Sequence, residues 1–237
     1  MMNMKQNFDA VLFDCDGVLA DSEPITNGVL RDMLAESGWD MSPAECVRVF
    51  LGRSVRDLRD DIEAHTGRPL TEDWLADFRA RRDARLAREV QAMPGAREAV
   101  EAARAGADGR IACASGADRA KVELMLARVG LAPLFKGQVF SGHEMPRSKP
   151  APDVYLAAAR ALGVTPACCL VIEDTPVGVT AGVAAGATVW ALCPPANERF
   201  GTASPQDLRA AGAARIFERM DDLPALLAPS LAPAGSA

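Results

Sequence analysis

The segment AVLFDCDGVLADS, residues 10–22, decides the fold, because a short apolar run leads directly into two aspartates and a glycine. Such a run followed by glycine and charge is typical of a buried strand that ends in a tight turn. Side chains alternate along a strand, so Asp14 and Asp16 can point the same way from its carboxyl end. Two carboxylates this close together indicate either a bound cation such as Mg²⁺, or a nucleophile beside a general acid.

Composition limits the partners and the compartment of the protein. The 237 residues carry a net charge of -6, and no block of Lys or Arg forms the basic stripe that nucleic acid requires. The six cysteines form no CxxC pair, so we expect small buried hydrophobes and the reducing cytoplasm. The start of the chain has no signal-peptide pattern, which also favours a cytoplasmic protein.

One uncharged segment, residues 175–197, has the length of a membrane span. Its glycines at positions 178, 182 and 186 recur every four residues, as in helices that dimerise within a membrane. A helix packed closely on a sheet and followed by a strand explains the same pattern with less hydrophobicity. We favour this second interpretation and expect no membrane partner.

The remaining pattern divides the chain into two parts. Residues 22–93 show only helical signals, whereas strand and helix alternate from residue 94 onward. Alternation of this kind predicts an α/β fold, a parallel sheet covered by helices on both faces. We therefore predict a core of residues 1–21 and 94–228, an inserted all-helical cap domain of residues 22–93, and a disordered tail over 229–237.

Three later strands are also followed by residues that could take part in catalysis or ligand binding. Ser115 and Gly116 offer a hydroxyl and accessible backbone N–H groups before a helix, which suits phosphate, although a plain helix cap explains them as well. Lys149 lies in a proline-rich segment that can aim its ammonium, where a solvated lysine is the ordinary alternative. Glu173 and Asp174 form a second acidic pair that could instead cap a helix. Taken together, these oxygen ligands suit Mg²⁺.

The ordered set of motifs resembles the haloacid dehalogenase-like superfamily of aspartate-nucleophile phosphotransferases, with a Rossmann-like core and a small helical cap. It is most similar to the phosphoglucomutase-like sugar-phosphate phosphatases. The resemblance implies that Asp14 is the nucleophile, that Asp16 is the general acid and base, and that Ser115 and Lys149 bind the phosphoryl group. It also implies a Mg²⁺ site made by Asp14, Asp16, Glu173 and Asp174.

The resemblance places substrate choice in the cap. Arg53, in a loop between two cap helices, is a candidate for binding the leaving group, with a solvent-exposed arginine as the equal alternative. Glu23, near the hinge, is a second candidate, and the backbone of Gly116 is a third. All three are expectations about substrate binding.

The resemblance predicts a Mg²⁺-dependent phosphatase that hydrolyses a small phosphorylated metabolite, such as a sugar or sugar-acid phosphate, through an aspartyl phosphate. A β-phosphoglucomutase-like phosphomutase is the first alternative. The mutases usually carry a histidine shortly after the first motif, and residues 21–27 contain none. A noncatalytic ligand-binding module with the same fold is the second alternative. The resemblance further implies a monomer.

Overall fold

The protein is described here by a computed structural model that covers residues 7–50, 55–198, 200–201 and 203–231. Within these ranges, six parallel strands form one sheet: β1 (Ala10–Phe13), β2 (Ile111–Ser115), β3 (Val139–Ser141), β4 (Cys169–Glu173), β5 (Thr188–Leu192) and β6 (Arg215–Phe217). The strand order is β3-β2-β1-β4-β5-β6. The predicted α/β fold is confirmed.

Ten α-helices lie in the described ranges: α1 (Glu23–Glu36), α2 (Pro43–Phe50), α3 (Arg59–Thr66), α4 (Glu72–Glu89), α5 (Ala96–Gly106), α6 (Arg119–Arg128), α7 (Asp153–Ala161), α8 (Pro176–Ala184), α9 (Pro205–Ala210) and α10 (Leu223–Leu227). Helices α1 to α5 all fall between β1 and β2, α6 to α9 connect successive strands, and α10 follows β6. In the sequence, α1 to α4 therefore stand between β1 and the rest of the sheet, and we refer to these four helices as the helical insert.

The alternation of side chains along β1 builds a hydrophobic core on each face of the sheet. Val11 and Phe13 join the cluster that contains α5, α6 and α10. Ala10 and Leu12 join the cluster on the other face, which contains α7, α8 and α9. Every residue of β1 is therefore buried, as expected for a central strand of a doubly covered parallel sheet.

The helical insert has a hydrophobic cluster of its own, in which Leu30, Phe50, Ile62 and Phe78 are buried together. Both chain segments that join the insert to the sheet pair with each other. The Asp21 N–H donates to the carbonyl of Gln91, and the Met93 N–H donates to that of Leu19, each at 3.0 Å. Ala20 and Ala92 form an antiparallel bridge between them.

The sheet has a topological switch point, because β2 and β4 lie on opposite sides of β1. Ligands of open α/β sheets bind beyond the carboxyl ends of the strands at such a point. Asp14 and Asp16 follow β1 at this edge, and Glu173 and Asp174 lie at the end of β4. The topology thus brings both acidic pairs to one crevice.

The expected disorder from residue 229 onward is wrong for residues 229–231. Leu231 is only 5% exposed and joins the core next to α5. The carbonyl of Ser230 accepts a hydrogen bond of 2.9 Å from the Phe8 N–H. One leucine in the Ala- and Pro-rich end of the chain thus buries enough apolar surface to order these residues. Residues 232–237 lie outside the described ranges.

The glycines of α8 serve close packing on the sheet. A Cβ atom at Gly182 would lie 2.7 Å from Val189 Cγ2 and 3.3 Å from Val171 Cγ1. Only a glycine lets the helix approach β4 and β5 this closely. Among the described residues, every helix is too short or too polar to cross a membrane.

Substitution of Gly182 tests this packing. We expect G182A to lower the free energy of unfolding by about 1–3 kcal/mol, because its Cβ overlaps a stiff β-branched side chain. The matched control is G28A in α1, where the nearest atom to a Cβ is Arg85 Nη1 at 3.6 Å. G28A should raise stability by about 0.5–1 kcal/mol through helix propensity. Urea unfolding measures both, and equal shifts for the two variants would contradict the proposed role of Gly182.

Candidate active site

The turn after β1 brings the two acidic pairs into contact. Gly17 has a left-handed backbone with φ of 74°, which glycine adopts without strain. A Cβ atom there would lie 2.1 Å from Asp174 Oδ2. The turn therefore needs glycine for two reasons, its conformation and the close approach of the Asp174 carboxylate.

Lys149 lies at the centre of a buried charge network. Its Nζ is 2.6 Å from Asp14 Oδ1 and 2.7 Å from Glu173 Oε1. It also donates to the Tyr155 hydroxyl at 2.9 Å, and that hydroxyl donates to Glu173 Oε1 at 2.8 Å. Burial alone would lower the pKa of Lys149, but Asp14 and Glu173 hold it well above its usual range. The ammonium therefore carries a permanent charge between two strand ends.

Glu173 uses both of its carboxyl oxygens in hydrogen bonds. While Oε1 faces Lys149 and Tyr155, Oε2 accepts from the backbone N–H groups of Asp174 at 3.0 Å and Thr175 at 3.2 Å. A Cβ atom at Gly178 would overlap this carboxylate at 1.7 Å. Burial would raise the pKa of Glu173, but these donors, Lys149 first, hold it below its ordinary value. The group is thus fixed and ionised.

Asp174 differs from Glu173 because one of its oxygens lacks a partner. Its Oδ1 is buried and accepts no hydrogen bond from the described residues. Burial and the charges of Glu173 and Asp14 raise its pKa well above the ordinary range. Burial likewise raises the pKa of Asp14 to about 7. One oxygen from each of these three acids lies within 4.8 Å of the others, an arrangement that fits a cation.

Asp16 faces a separate pair of donors. Its Oδ1 accepts hydrogen bonds from Ser22 Oγ and from Lys121 Nζ, the latter at 2.6 Å. Burial alone would raise the pKa of Asp16, but Lys121 and Ser22 hold it below its ordinary value. The two aspartates of the first motif therefore have opposite environments, with a raised pKa for Asp14 and a lowered pKa for Asp16.

Ser115 is free of the capping role that was its simplest explanation. Asp118 caps α6 by accepting from the Lys121 N–H at 2.9 Å. Ser115 Oγ accepts instead from the Ala117 N–H at 3.0 Å and is almost fully buried at the end of β2. Ser115 and Gly116 line the same cavity as Asp14 and Lys149. The hydroxyl and the adjacent backbone thus face the acidic crevice.

A cavity of about 580 Å³ separates this crevice from the helical insert. The insert contributes an apolar wall that includes Leu30, Phe50 and Phe78. It also contributes Thr26, whose buried hydroxyl has no hydrogen-bond partner in the described residues, and Asn27. The cavity is therefore mainly charged on the sheet side, whereas its insert side combines apolar and polar residues with charged ones, among them Arg56, Arg79 and Arg82.

The structure brings nearly all the predicted site residues together at one edge of the sheet. They are Asp14, Asp16, Glu23, Ser115, Gly116, Lys149, Glu173 and Asp174. Glu23 is partly buried, and burial together with Asp16 raises its pKa to about 7. Arg53 lies outside the described residues.

The sequence analysis missed several residues that reach the same crevice. Tyr155, Lys121 and Ser22 contact Glu173 or Asp16 directly, and Arg82 extends from α4 to Asp118 at 3.0 Å. Tyr155 lies six residues after Lys149 in the first turn of α7, and because Lys149 precedes that helix, no helical spacing links the two residues. Lys121 and Arg82 also have no such signal, because their partners are distant in the chain.

Comparison with known proteins places this site in a family. The model for "haloacid dehalogenase-like hydrolase" matches residues 8–186. The phosphoglycolate phosphatase (plasmid) of Cupriavidus necator is 32% identical over 229 residues, which cover 95% of this chain and 96% of the relative. The 6-phosphogluconate phosphatase of Escherichia coli is 28% identical over 186 residues, 78% of this chain and 82% of the relative.

A solved structure of the same family has a similar fold. The HAD family hydrolase from Deinococcus radiodurans, crystallised with bound phosphate and sodium, superposes with a TM-score of 0.78 at 34% identity. The match covers 96% of this chain and 99% of that one. The chain therefore belongs to the haloacid dehalogenase-like hydrolase family, and it is a phosphoric monoester hydrolase like its named relatives.

Proposed function

We propose that the protein is a Mg²⁺-dependent phosphatase that hydrolyses a small phosphorylated metabolite through an aspartyl phosphate on Asp14. The observation that carries the proposal is the buried Asp14 carboxylate, held at 2.6 Å by Lys149 beside an unpartnered Asp174 oxygen. A nucleophile, a fixed cation and an available oxygen ligand at one strand edge are what phosphoryl transfer requires.

The reaction has two chemical steps, and Asp14 and Asp16 both act in each of them. In the apo protein the pKa of Asp14 is raised and that of Asp16 is lowered, so Asp14 must lose a proton and Asp16 must gain one when the substrate binds. In the first step, an Asp14 oxygen attacks phosphorus, the bond from phosphorus to the leaving oxygen breaks, and that oxygen takes the proton from Asp16. In the second, Asp16 accepts a proton from water as the water oxygen attacks phosphorus. The bond from phosphorus to Asp14 then breaks and releases inorganic phosphate. Lys149 balances charge in both steps, and Ser115 hydrogen-bonds the phosphoryl group.

The residues present fit a divalent cation. The unpartnered Oδ1 of Asp174 is buried among acids, and an ionised carboxylate in that position needs a positive partner. Asp14 and Asp174 would hold Mg²⁺ together with the backbone carbonyl of Asp16. Glu173 can join them only by giving up one of its hydrogen bonds, so its main role is to orient Lys149 and the Asp174 backbone. The bound ion supplies charge neutralisation for the phosphoryl oxygens.

A sugar or sugar-acid phosphate is the substrate class that the cavity supports best. Its volume of about 580 Å³ suits a small organic phosphate. The unpartnered hydroxyl of Thr26, the adjacent Asn27 and the half-buried Glu23 can hydrogen-bond a hydroxylated leaving group. The names of two relatives, 6-phosphogluconate phosphatase and phosphoglycolate phosphatase, denote substrates of this kind. Arg53 stays a candidate for the same role.

Hydrolysis is favoured over phosphomutase activity by the first turn of α1. The mutases to which the sequence is similar usually carry a histidine in the stretch that here spans residues 21–27. The cavity-lining residues in that stretch are Glu23, Thr26 and Asn27, and none of them is a histidine. A noncatalytic ligand-binding module is disfavoured because every acid of the proposed mechanism is present.

We also propose that residues 22–93 act as a cap that closes over the site, expels water during the first step and opens for the second. The separate hydrophobic cluster of the insert supports its movement as a body. A monomer suffices for this mechanism, since the chain itself supplies both walls of the cavity. None of the six cysteines, all of which lie in the described ranges, forms a disulfide, and this supports the reducing cytoplasm as the compartment.

Removal of the nucleophile tests the proposal most directly. We expect wild-type protein with Mg²⁺ to hydrolyse para-nitrophenyl phosphate, and D14N to lose at least about 10³-fold in kcat. The matched control is D9N, the same change at an exposed aspartate that precedes β1. Full turnover by D14N would end the proposal of an aspartyl phosphate. Isomerisation of β-glucose 1-phosphate with a bisphosphate primer, without release of phosphate, would support the mutase instead.

Metal binding should appear in thermal stability. At a hundred times its Kd, Mg²⁺ stabilises a protein by about 2.7 kcal/mol, which is about 5–10 °C in Tm for a chain of this size. We expect this rise for wild type and D9N but not for D174N. In EDTA, D174N should melt no lower than wild type, because the pKa of Asp174 is raised and its ionised form destabilises the apo protein. An equal Mg²⁺ shift in D174N would contradict the assigned ligand.

Glu23 should make apo stability depend on pH. Its folded pKa of about 7 exceeds its ordinary value of 4.5, so the folded state keeps a proton that the unfolded state has lost. The contribution of protonated Glu23 to the free energy of unfolding is present near pH 4.5 and is lost as the pH rises to 7. We expect E23Q to gain stability over wild type at pH 8 in EDTA and to show little difference at pH 5. A difference that does not change with pH would contradict the raised pKa.

A further inference from the structure

Lys121 is a buried lysine that none of the motifs includes. It is the third residue of α6 and is only 6% exposed. Its Nζ lies 2.6 Å from Asp16 Oδ1, and Ser22 Oγ donates to the same oxygen. Both donors thus act on one oxygen of the carboxyl group that handles the proton in the proposed mechanism.

Two donors on a single oxygen fix how a carboxyl group is turned. With Oδ1 of Asp16 held by Lys121 and Ser22, the other oxygen, Oδ2, is the one available to the leaving group or to water. A buried ion pair is a weak source of stability, because desolvation of the two charges offsets their attraction. Stability alone therefore does not explain why a charged side chain is buried here, which points to a role in the site.

The helix that carries Lys121 is tied to the helical insert. Asp118, at the start of α6, accepts from the Lys121 N–H through Oδ1 at 2.9 Å. Through Oδ2 it accepts from Arg82 Nη2 at 3.0 Å, and Arg82 belongs to α4 and is only 8% exposed. One carboxylate therefore connects α4 of the insert to the turn that presents Lys121 to Asp16.

We propose that Lys121 is a positioning residue for proton transfer, which holds Asp16 so that Oδ2 meets the leaving oxygen. Because Arg82 of α4 hydrogen-bonds Asp118 at the start of α6, the orientation of Asp16 depends on how α4 packs against the sheet domain. The inference rests on the proposed function of Asp16. Loss of the Lys121 ammonium removes a charge that holds the pKa of Asp16 low, so a fall in proton donation without it reports the lost orientation of the carboxyl group. The nucleophile Asp14 and its partner Lys149 keep their geometry.

The dependence of the rate on the leaving group tests the proposal. An alkoxide leaving group needs a proton, whereas para-nitrophenolate leaves without one. In K121M we expect the first-turnover release of alcohol from a sugar phosphate to fall by about 10²–10³-fold. The first-turnover burst of para-nitrophenolate should fall less than tenfold, with little change in KM. K121R, which keeps a charged donor, should recover part of the alcohol-release rate.

The matched control is K136M, the same change at an exposed lysine, which should behave as wild type with both substrates. Equal losses for the two leaving groups in K121M, or rates equal to those of K136M, would overturn the positioning role. If circular dichroism shows that K121M does not fold, K121Q replaces it. We expect a smaller difference between the rate losses for the two leaving groups in K121Q. Equal rate losses for both leaving groups in K121Q would also overturn the positioning role. Absence of turnover in wild type with both substrates would instead contradict the proposed function.

Discussion

The site depends on one ammonium group between two carboxylates. Lys149 bridges Asp14 at the end of β1 and Glu173 at the end of β4, which are neighbouring strands of the sheet. Three acids meet at this edge, of which Asp14 and Glu173 are buried and Asp174 is partly buried, and burial of unpaired carboxylates is strongly unfavourable. The lysine offsets that cost at a fixed point, and the unpartnered oxygen of Asp174 belongs to an acidic cluster that could bind a second positive charge. Fold and chemistry thus share one electrostatic constraint.

The parallel sheet satisfies this constraint through its topology. Because β1 lies at the switch point, helices leave in opposite directions on its two sides and the strand ends stay open. Close backbone approaches then bring the acids together, since Gly17 admits the carboxylate of Asp174 and Gly178 admits that of Glu173. Ordinary side chains at either position would push the acidic pairs apart. The glycines are therefore as much a part of the site as the charged groups.

The sequence predicts the elements and motifs that depend on local patterns. The apolar run before Asp14, the alternation after residue 94 and the acids at strand ends are all visible in the chain, and the structure places them as expected. Contacts between distant residues are not visible in this way. The pairs Lys121–Asp16 and Arg82–Asp118 join positions 105 and 36 residues apart, and each residue alone resembles a solvated charge on a helix.

The prediction of disorder at the end of the chain is wrong for residues 229–231 for a related reason. A composition of Ala, Pro and Ser is typical of disorder, yet Leu231 packs into the core beside α5. Whether a single apolar residue finds a groove depends on the tertiary surface next to it, which composition does not describe. Burial of Arg82 and Lys121 depends in the same way on how the insert lies against the sheet domain.

The pairing of the two connecting segments limits how the insert can travel. Since the segments around Ala20 and Ala92 are bridged to each other, they form a short ribbon and not two independent tethers. A ribbon bends readily across its flat face and resists shear along its length. Any swing of the insert would therefore take place about one paired connection and not about two independent ones.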